Sequence, residues 1–540
     1  MLRRIFVAGS VLALLVAQGA QAVYAGGPTP PVTPTITNPG FEADGAPVQS
    51  PVGWHSAGTP GAASVIAFGH GGSFSLSQYG AQPFHVDTTQ TVWLSPGRYT
   101  LRAWVERGTG QNNAYIGLRD CGPSDQRTYL PVSGSWLQIT LSTEVTRHSC
   151  TIVLHTDAAG GEWSGFDDIE LVPGSAKLSV LGADVSSLKK SEDLGGVYLT
   201  DKGHPADALA ILKAHGVNWI RLRVFVNPAD GYHGTPELLT MARRAMELGL
   251  KVLVDFHFSD FWADPGKQWT PDAWAGETFA QLQTTYSAYI RGVMHDLAEQ
   301  HTPPAMVQLG NEIQSGMLWD YAANWTGTSC ADDGFGNVPT TYTCVAHTEN
   351  WDNLASLLTL GYNTVKSVFP KTKVMLQLAD GGSNGTYQWW FDNITTRNVP
   401  FDVIGVSYYE YWHGPLAALQ YNLDDVTARY DKDAIVVETA YPFTVAPGDS
   451  TPNSVDTPLL VPGYPATPAG QAANFRDIMS IVRAVPNGHG LGVFYWDATW
   501  TAVPGNGWSP RDPNSGNAWE NQALFDYGNK PLPAMKDFKP

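Results

Sequence analysis

Two glutamates and the residues beside them carry the strongest chemical signal in this sequence. Glu312 follows Gly310 and Asn311 at the end of the apolar run Ala305–Asn311, and Glu438 closes the run Ala434–Glu438. A carboxylate at the end of an apolar run is costly to bury alone, so each should face a pocket and be paired there. Two such carboxyls fit cleavage of a glycosidic bond, in which one protonates the leaving oxygen while the other attacks the anomeric carbon. A lone glutamate at such a place has a salt bridge as its alternative explanation. The pair, with an amide beside one member and aromatics nearby, is what a sugar pocket needs. Glu438 has to be ionised, and Arg221 or Arg223 in the run Trp219–Val224 can hold it so, with the Tyr408 hydroxyl doing the same more weakly. Glu312 has to start protonated, and a second carboxylate about 5–5.5 Å away would raise its pKa. Asn311 is placed to meet a sugar 2-hydroxyl, and Asp255 and His257 to make polar contacts in the same subsite. Trp496 would form the floor under the sugar, with Trp262 and Trp412 as platforms on the rim. Core packing explains any one of these tryptophans equally well, and a hydrogen-bonded core position explains His257.

These residues need elements that bring them to one place. From Lys177 onward, apolar or β-branched runs alternate with helical periods. Thr235-Pro236-Glu237 opens a helix with an N-cap and an early proline, and Gly249 closes it; Pro205 and Gly216 bracket another. The strands predicted are Ser179–Asp184, Trp219–Val224, Leu250–His257, Ala305–Asn311, Lys373–Asp380, Val403–Tyr408, Ala434–Glu438 and Leu491–Asp497. Eight strands with room for a helix after each predict a (β/α)8 barrel. A doubly wound sheet is the alternative, but no glycine-rich phosphate loop follows the first strand. Strand ends lie 28 to 69 residues apart, against about 31 for a minimal barrel. The excess follows the third, fourth and seventh strands, which in a barrel builds the face where active sites sit. Residues 35–173 read differently, as short alternating runs such as Thr89–Leu94, Tyr99–Val105, Trp136–Leu141 and Thr151–His155 broken by Gly, Pro, Asn and Ser. That texture predicts an all-β sandwich. The chain is therefore expected to be multidomain, with the sandwich at 35–173 and the barrel at 177–540.

Composition bounds the partners. Among 540 residues, 32 Lys and Arg stand against 50 Asp and Glu, a net charge of −18. That balance argues against nucleic acid, because phosphate binding needs clustered cations. The 19 Trp, 22 Tyr and 20 Phe beside a charged fraction of 15% suit uncharged ligands with flat apolar faces, sugars above all, or else a large aromatic core. Residues 1–25 read as an export signal: Arg3 and Arg4, the apolar stretch Ile5–Val16, and a cleavage site at Ala20-Gln21-Ala22, with Val23-Tyr24-Ala25 a second option. That stretch is too short to span a bilayer. A secreted monomer acting on a polysaccharide, without membrane attachment, is expected. Residues 26–34 form a Pro/Thr-rich linker. Four cysteines allow three pairings; Cys121–Cys150 and Cys330–Cys344 are expected, because each closes within one predicted domain.

The strand-end motifs then identify a resemblance. Gly182-Ala183-Asp184-Val185-Ser186-Ser187, Trp219-Ile220-Arg221-Leu222-Arg223, Asp255-Phe256-His257-Phe258-Ser259-Asp260-Phe261-Trp262-Ala263-Asp264-Pro265, Gly310-Asn311-Glu312 and Asn521-Gln522-Ala523-Leu524-Phe525-Asp526 are similar to glycoside hydrolase family 53, the arabinogalactan endo-β-1,4-galactanases. The resemblance implies Glu312 as acid/base, Glu438 as nucleophile, β-1,4-galactan of pectin side chains as substrate, and no cofactor for the chemistry. The resemblance also implies a calcium site, which bacterial members carry between the loops after the seventh and eighth strands. Asp449 and Asn453 would be oxygen ligands here, although the family's first Asp and its His are replaced by Pro447 and Thr451. Asn38-Pro39-Gly40-Phe41-Glu42, Gly53-Trp54 and Gly165-Phe166-Asp167-Asp168-Ile169-Glu170-Leu171 resemble the ends of jelly-roll carbohydrate-binding modules, with family 61 the nearest fit beside such a barrel. Glu42 and Asp168 would then hold a structural calcium or stand as a plain acidic pair. Trp54, Trp104, Tyr115 and Trp163 are the aromatics for stacking on sugar or for core. Two readings compete: another two-glutamate endo-β-glycanase acting on mannan, xylan or glucan, and a non-catalytic sugar-binding protein.

Overall fold

The computed structural model describes residues 34–319, 350–512 and 514–539. The export signal, nearly all of the linker, and the Cys330 and Cys344 pair lie outside the described residues.

Strands β1 (His55–Gly58) to β10 (Trp163–Pro173) form two antiparallel sheets. One sheet has the order β1, β4 (Phe84–Trp93), β9 (Ser149–Ala158), β6 (Gln111–Arg119), β7 (Gln126–Tyr129). The other has the order β2 (Ala63–Ile66), β3 (Ser75–Tyr79), β10, β5 (Gly97–Arg107), β8 (Ser133–Val145). The period of two in the sequence is the cause: alternate residues of each strand must face opposite sides. Phe84, Val86, Leu101, Ile116, Ile152, Leu154 and Phe166 meet between the sheets. Each fully buried side chain of this size contributes about 1.5–3 kcal/mol. The Cys121–Cys150 disulfide ties the end of β6 to β9.

The barrel strands are β11 (Val180–Asp184), β12 (Trp219–Val224), β13 (Lys251–Phe256), β14 (Met306–Leu309), β15 (Lys373–Leu378), β16 (Val403–Ser407), β17 (Asp433–Glu438) and β18 (Gly490–Tyr495). All are parallel and close in sequence order, β18 pairing with β11. These strands are apolar on both faces because helices cover the outside and packed side chains fill the inside. Trp219, Leu253, Met306, Met375, Ile435 and Phe494 fill the interior. Gly182 is required there, since a Cβ would stand 2.2 Å from the Phe494 ring. Five strands, β13, β14, β15, β16 and β18, stop one or two residues earlier than their sequence predicts, and two of these have a visible cause. β14 ends at Leu309 because Gly310, at φ 84°, turns the chain. β16 ends at Ser407, after a register shift against β17. Helix starts also differ: Asp207, not Pro205, caps Ala208–Ala214 by accepting from the Ala210 amide at 3.0 Å, and Gly234 precedes Thr235–Glu247.

The sandwich meets the barrel along edge strand β8. The Gln138 amide donates to Gln420 Oε1 and the Gln420 side chain donates back to the Gln138 carbonyl, both at 2.9 Å. Leu137 is buried with the barrel core.

Candidate active site

Strand β12 supplies the hub. Its alternation turns Arg221 and Arg223 the same way, into the C-terminal end of the barrel, where both side chains are buried. Arg221 reaches Asp184 at 3.0 Å from β11, Asp255 at 2.9 Å from β13 and Glu438 at 2.8 Å from β17. It also donates to Asn311 Oδ1 at 2.7 Å. Burial works against its charge, but Asp255, Glu438 and Asp184 outweigh burial and raise its pKa.

Of the two arginines expected as candidates to hold Glu438, Arg221 does so and Arg223 does not. Its guanidinium pairs with Asp497 at 3.2 Å, donates to Ser187 Oγ at 2.8 Å, and lies 4.1 Å from the Trp262 ring centroid. Burial and the nearby Asp184 push Asp497 up to about 6 against the opposing pull of Arg223. Tyr408 needs a second correction. Its hydroxyl donates to the Gly414 carbonyl at 2.6 Å, and it is Tyr409 whose hydroxyl donates to Glu438 Oε2 at 3.1 Å. The reason is the early end of β16: the Tyr408 amide still pairs with the Glu438 carbonyl at 2.8 Å, and the next residue turns over the carboxylate.

Glu312 sits immediately after the turn at Gly310, with φ 50° and ψ 54°. A non-glycine residue in the left-handed region is strained, and such strain is held where surrounding structure fixes the backbone. Here its amide donates to Gln377 Oε1, whose side chain in turn donates to Ser407 Oγ at 2.6 Å. Burial and then the Glu438 charge raise the Glu312 carboxyl well above its ordinary range, against a hydrogen bond from Ser407. Burial raises Glu438 also, but Arg221 opposes it and the Tyr409 hydroxyl favours the anion. Of the pair, the proton therefore resides on Glu312.

Both carboxyls line one cavity of about 560 Å³, together with His257, Trp262, Asn311, Trp412 and Trp496. Asn311 gives one N–H to the Ala263 carbonyl at 2.8 Å, which leaves the other for a ligand. His257 accepts the Ala263 amide at 3.0 Å through Nδ1 and faces Asp255 at 3.0 Å through Nε2. It fixes the wall and Asp255, itself fully buried, braces Arg221 from below. Tyr409, Trp500, Trp508 and Trp519 also line the cavity and were not among the residues predicted. Trp519 precedes the Asn521–Asp526 motif, the one sequence signal that pointed to its neighbourhood. Trp262 contacts both Trp496, at 6.0 Å between centroids, and Trp500, at 5.8 Å. An aromatic wall facing two carboxyls of unequal acidity can seat a pyranose ring and deliver a proton beside a nucleophile.

The predicted metal ligands do not assemble into a metal set. Asp449 spends its two oxygens on the amides of Thr451 at 2.6 Å and Asn517 at 2.7 Å, while the Asn453 amide donates to the Val445 carbonyl. Glu42 accepts the amides of Ser73 and Phe74, both at 2.7 Å, and Asp168 pairs with His70 at 2.8 Å. Among the described residues no group of three or more His, Cys, Asp or Glu is placed to hold an ion. Of the sandwich aromatics, Trp54 is core, packed on Phe41. Trp104 is capped by His70, Tyr115 stacks on His155 at 4.5 Å, and Trp163 is half-buried.

The sequence profile of Glycosyl hydrolase family 53 matches residues 180–538. The chain is 30% identical over 405 residues to a Bacillus subtilis (strain 168) protein named endo-β-1,4-galactanase, covering 69% of this chain and 88% of that one. It is 32% identical over 371 residues to the arabinogalactan endo-β-1,4-galactanase of Thermothelomyces thermophilus, covering 67% and 99%. Among solved structures it resembles the GH53 catalytic domain of Ignisphaera aggregans, with 36% identity, a TM-score of 0.60, and coverage of 68% and 96%.

Proposed function

The chain belongs to glycosyl hydrolase family 53, and on that premise we propose that it is a secreted endo-β-1,4-galactanase acting on galactan and type I arabinogalactan with retention of configuration. In the first step Glu438 attacks the anomeric carbon while Glu312 gives its proton to the departing glycosidic oxygen, leaving a glycosyl ester on Glu438. In the second, Glu312 takes a proton from water, whose oxygen displaces Glu438 and yields a product of the original configuration. Arg221 and Tyr409 keep Glu438 anionic for attack and stabilise it again as it leaves. The remaining Asn311 N–H meets the sugar 2-hydroxyl, a contact that strengthens as positive charge develops on the ring. Trp496 and Trp262 form the floor and wall of the cleft, and Trp412, 48% exposed, a platform at its mouth.

The observation that carries this reading is the asymmetry of the pair: one carboxyl held by a guanidinium and a phenol, the other buried with a raised pKa, both in one cavity. We extend it to organisation, with an export signal at 1–25, a linker at 26–34, a carbohydrate-binding module at 35–173, the catalytic barrel at 177–540, and a second disulfide between Cys330 and Cys344. Tethering such a module raises the effective concentration of the barrel at a polymer.

The test is reducing-end release on galactan, mannan, xylan and cellulose in parallel, with the stereochemistry of the first product followed by NMR. Release from galactan alone with retention is expected. Glu312→Ala is expected to lower kcat on the order of 10²–10⁴-fold and Glu438→Ala to lower it further, with both barrels folded. Inverted products, or full activity in either variant, would overturn the assignment.

A further inference from the structure

Strand β16 ends at Ser407, so the sheet ladder does not hold Tyr409, whose hydroxyl lies on the Glu438 carboxylate. Tyr409 instead opens the short helical turn Glu410–His413. Its amide donates to His413 Nδ1 at 3.1 Å, and its carbonyl accepts the amides of Trp412 and His413 at 2.9 and 2.8 Å. The Tyr408 hydroxyl closes the turn on the Gly414 carbonyl, and the Tyr408 amide fixes the entry on the Glu438 carbonyl. These bonds give the turn its shape. Its placement over the nucleophile depends on contacts reaching outside it.

Two side chains of the turn make such contacts. Tyr411 donates to Gln522 Oε1 at 2.7 Å, and Glu410 Oε2 accepts from Asn474 Nδ2 at 2.6 Å. Asn474, 1% exposed, belongs to the helix Pro468–Ala484, which packs on β18 of the barrel and on β8 of the sandwich. The anchor is therefore backed from both domains. Glu410 is 8% exposed, and no cation among the described residues pairs with it. Burial and the charge of Asp477, one turn further along the same helix, push its carboxyl up to about 8, against the hydrogen bond from Asn474. Asp477 itself pairs with Arg476 at 3.1 Å and accepts the Tyr464 hydroxyl at 2.8 Å. A buried carboxyl without a cation costs stability that an apolar side chain of similar size would not. What it supplies here is an acceptor for Asn474, one residue away from the phenol on the nucleophile. Neighbouring residues share a rigid peptide plane, so anchoring Glu410 limits how far Tyr409 can swing.

We propose that Glu410 is a positioning residue for the reaction: through Asn474 it ties the turn Glu410–His413 to the outer helix, so that the Tyr409 hydroxyl stays on the Glu438 carboxylate. The proposal rests on the reading of Glu438 as nucleophile, and Glu410 acts only through Tyr409. A hydrogen bond to the anion lowers a carboxyl pKa, so a phenol that swings away leaves Glu438 harder to ionise. The group required is an acceptor for Asn474 and not a charge, so glutamine can take the place of glutamate.

The experiment joins carboxyl-carbon NMR titration to kinetics on soluble galactan, using the full chain. The Glu438 signal is assigned by its loss in Glu438→Gln. Glu410→Leu is expected to move the Glu438 midpoint to higher pH and to lower kcat about three- to tenfold, the range of couplings between residues in contact. Asn474→Ala removes the donor instead, is expected to do the same, and carries the test where Glu410→Leu does not fold. In the Tyr409→Phe background the phenol is already gone. There Glu410→Leu is expected to leave the midpoint in place and to change kcat about twofold or less. Glu410→Gln is expected to restore both readouts. A lower Tm with the Glu438 midpoint unmoved makes Glu410 a structural residue and overturns the proposal. So do equal losses in the two backgrounds, or a glutamine variant as impaired as the leucine one. A midpoint that moves as expected, with no release from galactan by the wild type, upholds the positioning of Tyr409 and overturns the galactanase reading instead.

Discussion

The barrel rim and the outer face of the sandwich treat buried acids in opposite ways. At the rim, Asp184, Asp255, Glu438 and Asp497 are each within ion-pair distance of Arg221 or Arg223. Glu312 has no such cation among the described residues and is the acid with the strongly raised pKa. On the sandwich, Glu106 is likewise without a cation among the described residues, and burial alone raises its pKa. The difference teaches that a guanidinium decides which buried carboxyl is an anion ready to attack. A carboxyl denied one has its pKa raised. Beside a nucleophile its proton serves bond cleavage.

The comparison is most exposed to failure at Arg221. Arg221→Met leaves three carboxylates without their shared cation and is expected to cost about 3–5 kcal/mol and nearly all hydrolysis. Urea unfolding should show the barrel transition moving while the sandwich transition stays. A variant as stable as the wild type would mean that the rim acids are not held by charge. Cys121→Ser with Cys150→Ser probes the other region: for cysteines 29 residues apart, loss of the cross-link should cost about 3–4 kcal/mol. That loss belongs in the sandwich transition, with turnover of a short soluble substrate unchanged.

A finer test separates neighbouring tyrosines. Tyr409→Phe removes a hydrogen bond to an anion, worth about 1.5–3 kcal/mol, and should lower kcat roughly tenfold or more. A bond to the charged form lowers a carboxyl pKa, so losing it raises that of Glu438. The acidic limb of the kcat/KM profile should therefore move to higher pH, since more alkali is needed to ionise the nucleophile. Tyr408→Phe loses only a bond to a carbonyl, about 1 kcal/mol of stability, and should leave that limb in place. Identical profiles for the two variants would return the role to Tyr408.

Much of the site was legible because parallel barrel strands carry it at a fixed place. Each apolar run ends where the rim begins, so Asn311, Glu312, Glu438 and Trp496 could be assigned from strand ends alone. Arg221 was one of two candidates for Glu438, and the period of two could not separate it from Arg223, which points the same way. Tyr408 was misassigned because a register shift between Val406 and Ser407 changes which residue overhangs the neighbouring strand. Trp500, Trp508 and Trp519 lie in the long segment after β18, where no periodicity constrains direction. Trp54, read as core or platform, is core.

By itself, then, the sequence determined the kinds of elements and the chemistry at their ends. Alternation against continuous apolar runs separated the sandwich from the barrel, and two glutamates after apolar strands pointed to glycoside cleavage. Only the tertiary structure decided who partners whom. Asp184, Arg221, Asp255 and Glu438 meet from four strands because the barrel closes, and Glu106 packs against Gly165 and Trp136 with no ion-pair partner among the described residues. The physical reason is that burial and periodicity are properties of a segment. The ionisation of a buried acid depends on charges a few ångströms away in space, contributed by residues hundreds apart in the chain.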